Sequence, residues 1–360
     1  MRAAVMRKGR IEVGEVPEPS PGQGEVLVRT LACGICGSDL HVLQHTHRFA
    51  EASGGIGGNN IDPDRDLVMG HEFCAEVLDY GPGASRKFSP GTRVCSMPVL
   101  IRPPEAKSVG YSHEFPGGYG ERMVLSEALL LPVPNGLSTE HAALTEPMAV
   151  GLHAVRMARL TPADVPLVIG CGPVGLAVIA ALKLSGAAPV VAADFSPARR
   201  KLAEQVGADI VIDPGQHSPY ASWADAARAS AQGLTAPVNP LTGVRTLPPG
   251  VFFECVGVPG VIDELMRAAP PQSRIIVAGV CMENDSIRPI FGINKELNVH
   301  FVLGYTPDEF ARTLRALAEG EVDVAPMVTG TTGVEGVGDA FRTLANPEAH
   351  AKILVEPWRA

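Results

Sequence analysis

Long apolar runs are missing from this sequence. No apolar stretch unbroken by glycine or proline reaches the ~18–20 residues that a membrane-crossing helix needs. No secretory signal is expected: the opening residues, MRAAVMRKGRIEVGEV, scatter charges where an apolar core would lie. There is no excess of positive charge. The formal net charge of −9 argues against a nucleic-acid footprint and against docking on an anionic membrane. No disulfide framework is indicated, because the seven cysteines are odd in number and spread along the chain. Burial or thiolate chemistry in a cytoplasmic setting is the expectation. No short-period repeat points to a solenoid.

What is present bounds the fold. At 360 residues the chain exceeds one ordinary core, so two domains are expected. Hydrophobic residues at 46% and charged residues at 19% give a globular balance. Residues 1–150 read as β-rich, with short runs such as GEVLVRTLACG (24–34), EFCAEVLDYG (72–81), GTRVCSMPV (91–99) and YGERMVLSE (119–127) between Gly and Pro turns. From residue 151 the texture changes. VPLVIG (165–170), PVVAAD (189–194), DIVID (209–213), VFFECVG (251–257) and SRIIVAG (273–279) are solid apolar runs of the kind buried parallel strands show. Helical segments at 173–186 and 196–207 alternate with them, the second with Ser196 as its expected N-cap. This alternation predicts an α/β, doubly wound parallel sheet of the Rossmann type over 151–298. Beyond it lie a strand-like run at 298–304, an amphipathic helix at 308–320 and a terminal strand at 351–357, which pattern alone leaves free to join either domain. Segments 44–66 and 233–250, rich in Gly/Asn and Pro respectively, read as long inserted loops.

The run VIGCGPVG places Gly170, Gly172 and Gly175 in G-x-G-x-x-G spacing. In so glycine-rich a chain the spacing alone is weak. Its context is strong: an apolar strand precedes it, a helix opens at Pro173 and Val174, and Asp194 ends the next strand 24 residues after Gly170. Gly170 permits the tight turn, Gly172 admits a pyrophosphate, and Gly175 lets helix pack on strand. Free N–H groups at the helix start favour phosphate. Asp194 would accept from ribose hydroxyls and repel a 2′-phosphate, favouring NAD over NADP, with Arg199 and Arg200 as counter-indications. Val256–Val258 and Ala278–Val280 follow the fourth and fifth strands, where the nicotinamide end would lie. Val256, Ala278 and Val280 are therefore cofactor candidates, with Arg199.

CGICGSDLHV (33–42) gathers two thiols, a hydroxyl, a carboxylate and an imidazole within ten positions. Thiolate, imidazole and carboxylate are zinc ligands, and a catalytic zinc keeps one position open. Cys36, His71 and a carboxylate, Glu72 or Glu146, are candidates, but they are too far apart for spacing to prove a site.

In order along the chain, CGICGSDLH, GHE, GGYGERMVL, TEP, VIGCGPVGL and FFECVGVPG resemble the zinc-dependent medium-chain dehydrogenases, the family of alcohol, polyol and threonine dehydrogenases. The resemblance spans nearly the whole chain. It implies a GroES-like, β-rich catalytic domain (1–150), a Rossmann domain (151–298) and a return to the catalytic domain (299–360). By position it implies Cys36 and His71 as zinc ligands, with Glu72 and Glu146 as the carboxylates of which one or both bind. Ser38 matches the hydroxyl that receives the substrate's proton, His41 the outer relay histidine, and Asp39 the carboxylate that orients the ligating imidazole. Cys33 is expected to be buried and not a ligand. Many members hold a second, structural zinc with four cysteines; here that region carries only Cys95, so one zinc is expected. Cys74, Cys171, Cys255 and Cys281 are expected in the core, His45 and His47 in a solvated loop. Met97, Phe115 and Val280 are rough markers of the pocket wall.

The implied activity is reversible hydride transfer between an alcohol or polyol and NAD. Two rivals differ at named residues. A zinc-free quinone or enoyl reductase using NADPH would need neither Cys36 nor His71. A non-catalytic NAD-binding protein would tolerate loss of Ser38 and His41. LNVHFVLGY (297–305) falls where family members continue a sheet across a dimer axis, so a homodimer or homotetramer is expected.

Overall fold

The computed structural model describes residues 1–53, 61–230, 243 and 246–359. These fall into two units, Met1–Pro147 with Pro307–Ala360, and Met148–Thr306.

The first unit is built on a seven-stranded sheet centred on the strand Glu25–Gly34. EVLVRTLACG alternates buried and half-buried positions from Val26 to Ala32, as a half-buried strand does, and is buried throughout Ala32–Gly34. It pairs antiparallel with Glu72–Tyr80, Arg122–Ser126 and, at its end, Lys352–Val355. Register brings Gly34 opposite both Glu72 and Leu354. Three chain segments distant in sequence therefore converge where the strand ends. A hairpin, Arg2–Arg7 with Arg10–Glu15, turns through Lys8 and Gly9, both at positive φ as a two-residue turn demands. Val5, Met6, Val28, Phe73, Tyr119, Met123 and Phe341 are among the buried side chains of the core.

Three expectations change here. The segment 44–66 is not wholly loop: Thr46–Ser53 is a helix directly after the helix Gly37–Gln44, residues 61–66 are irregular, and 54–60 lie outside the described residues. His45 and His47 therefore belong to helix ends and helix. The run 91–99 is not one strand. Arg93–Cys95 joins the main sheet, whereas Val99–Arg102 leaves it to pair with Glu105–Ser108. Phe115, expected near the pocket wall, is buried in the core, with the Arg102 guanidinium 4.5 Å from its ring centroid.

The second unit is a six-stranded parallel sheet. Its strands in chain order are Pro166–Ile169, Val191–Ala193, Ile210–Ile212, Val251–Glu254, Arg274–Val277 and Asn298–Phe301. Their spatial order is third, second, first, fourth, fifth, sixth, so the order reverses beside the first strand. That reversal is where open α/β sheets bind ligands. Helices Pro173–Leu184 and Pro197–Gln205 follow the first two strands, and Ser196 caps the second by accepting the Arg199 N–H. Because Asn298–Phe301 pairs parallel with Arg274–Val277, it completes this sheet, and residues 299–306 belong to the second unit instead of returning to the first. Cys281 is only half-buried, against the expectation of a core thiol, because it follows the fifth strand on an exposed loop. Most of the expected loop 233–250 lies outside the described residues; within it, 246–250 have no regular structure. Among the described residues no helix is long and apolar enough to cross a membrane.

Candidate metal and dinucleotide sites

Cys36 stands two residues beyond Gly34, as the residue capping the helix Gly37–Gln44. Ile35 is pinned by its N–H to the Ile353 carbonyl, 3.0 Å away. The Cys36 N–H donates to Asp39 Oδ2 at 3.0 Å, the reach-back of a third helical residue to its cap. His71 and Glu72 arrive from the start of the adjacent strand. One ligand atom each from Cys36, His71 and Glu72 lies within 4.8 Å of the others. These are borderline-soft and hard donors in the mixture that suits zinc. The set fits a single divalent ion.

Asp39 is fully buried, and its Oδ1 lies 3.5 Å from His71 Nδ1. This is the carboxylate–imidazole arrangement that leaves Nε2 for a metal. Nδ1 has no well-aligned hydrogen-bond partner, so the contact is electrostatic as it stands. Burial alone would raise the Asp39 carboxyl, but the charge of His71 and hydrogen bonds from Tyr119 and Cys36 outweigh it and hold it below the usual carboxylate value. Burial would likewise lower the His71 imidazole, yet Asp39 and Cys36 lift it well above the usual histidine value. The same negative surroundings that favour a proton there favour a cation.

Glu72 is held by a residue that sequence reasoning missed. Lys352 Nζ lies 2.8 and 2.6 Å from the two Glu72 oxygens and donates to the Ile35 carbonyl at 3.1 Å. Both side chains are fully buried. Burial would lower the ammonium, but Glu72, then Cys36 and more weakly Glu146, raise it above the usual lysine value. The signal was a lone lysine in the apolar run AKILVEP. Gly34 is part of the same device, since a methyl group there would overlap the Glu72 carboxylate. Glu146, at the start of the helix Thr145–Met157, is buried near Lys352 but is not a member of the three-residue cluster.

Ser38 Oγ lies 2.8 Å from the hydroxyl of Tyr111, a residue the sequence gave no reason to choose. Tyr111 also donates to Asp39 Oδ1 at 2.8 Å, and Tyr119 donates to Asp39 Oδ2 at 2.6 Å. His41 is on the same helix as Ser38, its ring 6.5 Å from that of His45; burial, then His45, lower its pKa. Cys33 is fully buried and its thiol is pushed up by burial, then by Asp39 and Glu72.

In the second unit Gly170 adopts φ +92°, open to glycine, and Gly175 lies so near Gly170 that a methyl group would overlap its carbonyl oxygen. Gly172 caps the helix that opens with Pro173 and Val174. Asp194 accepts the Cys171 N–H at 2.7 Å and the Ser196 N–H at 2.8 Å, which ties the glycine turn to the end of the second strand. The guanidinium of Arg199 lies beside Gly172, whereas Arg200 is engaged by the Asp194 and Phe195 carbonyls and by Asp213. Glu254, also missed, accepts the N–H groups of Val256 and Gly257 at 2.8 Å, while its carbonyl takes those of Ala278 and Gly279 at 2.9 Å. One residue thus orders both loops that carry Val256, Ala278 and Val280. Val256 and Val280 are exposed, at 41% and 45%.

A sulfur–nitrogen–oxygen cluster on a β-rich unit, with a glycine turn at the reversal point of a parallel sheet, defines a metal- and dinucleotide-using oxidoreductase. The comparisons agree. Residues 22–135 match the alcohol dehydrogenase GroES-like domain and residues 173–319 the zinc-binding dehydrogenase domain. The (R,R)-butanediol dehydrogenase of Bacillus subtilis is 30% identical over 96% of each chain. The sorbitol dehydrogenase of Bos taurus is 30% identical over 93% of this chain and 90% of its own. The solved 2R,3R-butanediol dehydrogenase from Bacillus subtilis superposes with a TM-score of 0.79, at 29% identity over 99% of both chains. A Sinorhizobium meliloti zinc-binding dehydrogenase solved with NADP superposes at 0.77, with 26% identity over 99% of both. The chain belongs to the zinc-dependent medium-chain dehydrogenase family.

Proposed function

We propose that this protein is a cytoplasmic, NAD-linked alcohol or polyol dehydrogenase with a single zinc ion held by Cys36, His71 and Glu72, with Glu146 as an alternative carboxylate. The observation that carries this reading is the convergence of the first three within 4.8 Å, with Asp39 behind His71. When bound, zinc supplies a Lewis acid that eases loss of the alcohol proton, and NAD supplies the hydride acceptor. Cys36 and Glu72 bring negative charge to the ion. Asp39 fixes the imidazole's tautomer and direction. Ser38 is the hydroxyl nearest the cluster in sequence and takes part in moving the alcohol proton, with His41 as its outlet to solvent. Gly170, Gly172 and Gly175 would hold the pyrophosphate at the helix start formed by Pro173 and Val174. Asp194 would accept from the adenosine ribose, with Arg199 beside it, and the loops of Val256, Ala278 and Val280 would serve the nicotinamide end.

The names of the relatives, butanediol and sorbitol dehydrogenases, support vicinal diols and sugar alcohols as first substrates to try. One ion is favoured because the segment from Cys95 to Gly117 has a single thiol, itself buried and 3.2 Å from the Ala142 carbonyl. NAD is favoured by the carboxylate of Asp194 at the end of the second strand, which would repel a 2′-phosphate. All seven cysteines are free, which suits the cytoplasm.

The test is a panel of diols, polyols, secondary alcohols and aldehydes assayed with NAD and NADP, with metal content measured before and after chelation. Zinc near one equivalent and NAD-dependent turnover that disappears on chelation are expected. Full turnover after verified zinc removal, or turnover with NADP alone, would overturn the respective parts.

A further inference from the structure

Ser38 has one hydroxyl proton, and its direction decides whether the side chain offers a donor or an acceptor to a bound alcohol. The surrounding bonds determine that direction. Tyr111 Oη lies 2.8 Å from Ser38 Oγ and 2.8 Å from Asp39 Oδ1. Asp39 is already ringed by donors: the Cys36 N–H at 3.0 Å and the Tyr119 hydroxyl at 2.6 Å reach Oδ2, and His71 Nδ1 faces Oδ1 at 3.5 Å. A carboxylate so placed only accepts. Tyr111 has one proton, and it goes to Asp39. Before transfer the Tyr111 oxygen therefore accepts from Ser38, which turns the Ser38 proton toward Tyr111 and its lone pairs toward the alcohol; as the alcohol's proton reaches Ser38, Ser38's own proton leaves Tyr111 for the outlet at His41.

We propose that Tyr111 is a positioning residue that presents Ser38 as the hydrogen-bond acceptor for the hydroxyl of the substrate alcohol. The phenol ring is fixed for this purpose by its neighbours, with ring centroids 5.4 Å from Phe49 and 5.1 Å from His71. A serine free to rotate would part of the time offer its own proton to the alcohol oxygen, which opposes loss of the alcohol's proton. Removing that choice is pre-organisation of the kind that raises turnover more than affinity for the ground state. Phe49 comes from the helix Thr46–Ser53, so this segment contributes to the site by bracing Tyr111.

The inference rests on the proposed alcohol oxidation, and the experiment separates the two. Tyr111→Phe keeps the ring and removes the hydroxyl. With the best alcohol of the panel and NAD, kcat should fall about tenfold and KM move less than about threefold. Zinc content should stay at the wild-type level. Trifluoroethanol, which is not oxidised, should bind the NAD complex of the variant about five- to tenfold more weakly by calorimetry, the weight of one oriented hydrogen bond. Ser38→Ala should lose more activity, and adding Tyr111→Phe to it should cost nothing further, because Tyr111 acts through Ser38. Wild-type behaviour of Tyr111→Phe in both turnover and trifluoroethanol binding would overturn the inference. So would multiplicative losses in the double variant. So would loss of zinc from Tyr111→Phe, which would mean that Tyr111 serves the Asp39–His71 pair instead. An active wild type with an indifferent Tyr111→Phe leaves the proposed function standing; a wild type that oxidises no alcohol removes both.

Discussion

Glu72 sits where a strand end, a metal cluster and a buried ammonium meet. Lys352 lies 280 residues away in the chain and reaches it only because the last strand pairs beside Gly34. Breaking a buried pair by removing one partner leaves the other charge uncompensated, which costs about 3–5 kcal/mol. In the metal-free protein, where no cation balances Glu72, Lys352→Met should therefore lower the unfolding free energy by that order, read from urea or thermal unfolding. Adding Glu72→Gln should return most of the loss, since no charge is then stranded. A Lys352→Met variant within about 1 kcal/mol of wild type would show that the pair stabilises nothing. The pH dependence has a definite sign. The ammonium's pKa in the folded chain lies above its unfolded value. The pair's contribution is thus complete below the unfolded value and is lost as pH rises through the folded one. Between about pH 6 and 9 it should add no slope to the stability curve.

The thiols divide by the same reasoning. Burial pushes the Cys33, Cys171 and Cys255 thiols up, and Cys95 is raised by its hydrogen bond with Cys74 and then by burial. A raised pKa means less thiolate at a given pH, and thiolate is the reactive form. At about pH 8, Ellman's reagent should label the native zinc-loaded protein chiefly at Cys281, which is half-exposed. Stripping the metal should add Cys36, the other thiol that is not fully buried. Rapid labelling of four or more thiols in the folded protein would contradict this. What the sequence hid at this scale was direction. It showed Ser38, Asp39 and His71 but not Tyr111, 73 residues from Ser38, because no local pattern encodes a contact made by topology.

At the level of elements, legibility follows from burial. Parallel strands covered on both faces read as unbroken apolar runs, so PLVI, VAA, IVI, VFFE and RIIV were all visible, and the glycine turn could be placed on a strand–helix junction. The run at 298–304 was visible as a strand, but its partner was not, because pairing is a choice between sheets that residue pattern does not record. The helix Thr46–Ser53 was masked by the Gly/Asn-rich residues after it. The glycine turn gives an element-scale prediction. A methyl group at position 175 would overlap the Gly170 carbonyl oxygen and push the helix Pro173–Leu184 off its strand. Gly175→Ala should weaken NADH binding at least about tenfold by fluorescence titration, as the helix N-terminus leaves the phosphate. The metal ligands lie in the other unit, so zinc content should be unchanged; loss of zinc together with NADH binding would mean a global failure to fold.

For the whole molecule the open edge of the parallel sheet is the unfinished feature. Asn298–Phe301 is one of its two edge strands and, among the described residues, has a partner on one side only. Phe301 is 67% exposed, Leu303 82%, and Ile293 of the helix Pro289–Lys295 is 71% exposed. An unprotected edge with apolar side chains is a template for pairing, which proteins otherwise block with charge or proline. Here neither Asn298, Val299, His300 nor Phe301 supplies a fixed charge. A second copy related by a two-fold axis would lay its own 298–301 strand antiparallel against the first, because a self-complementary contact must match a surface with itself. This supports the proposed homodimer, with a homotetramer as a pair of such dimers. Sedimentation of the wild type should give two or four chains. A double substitution, Phe301→Glu with Leu303→Glu, would place like charges against each other across the axis. It should shift the protein toward one chain while leaving zinc content intact. A wild type that sediments as one chain at micromolar concentration, or a charged variant that sediments like wild type, would show that this edge is closed in some other way.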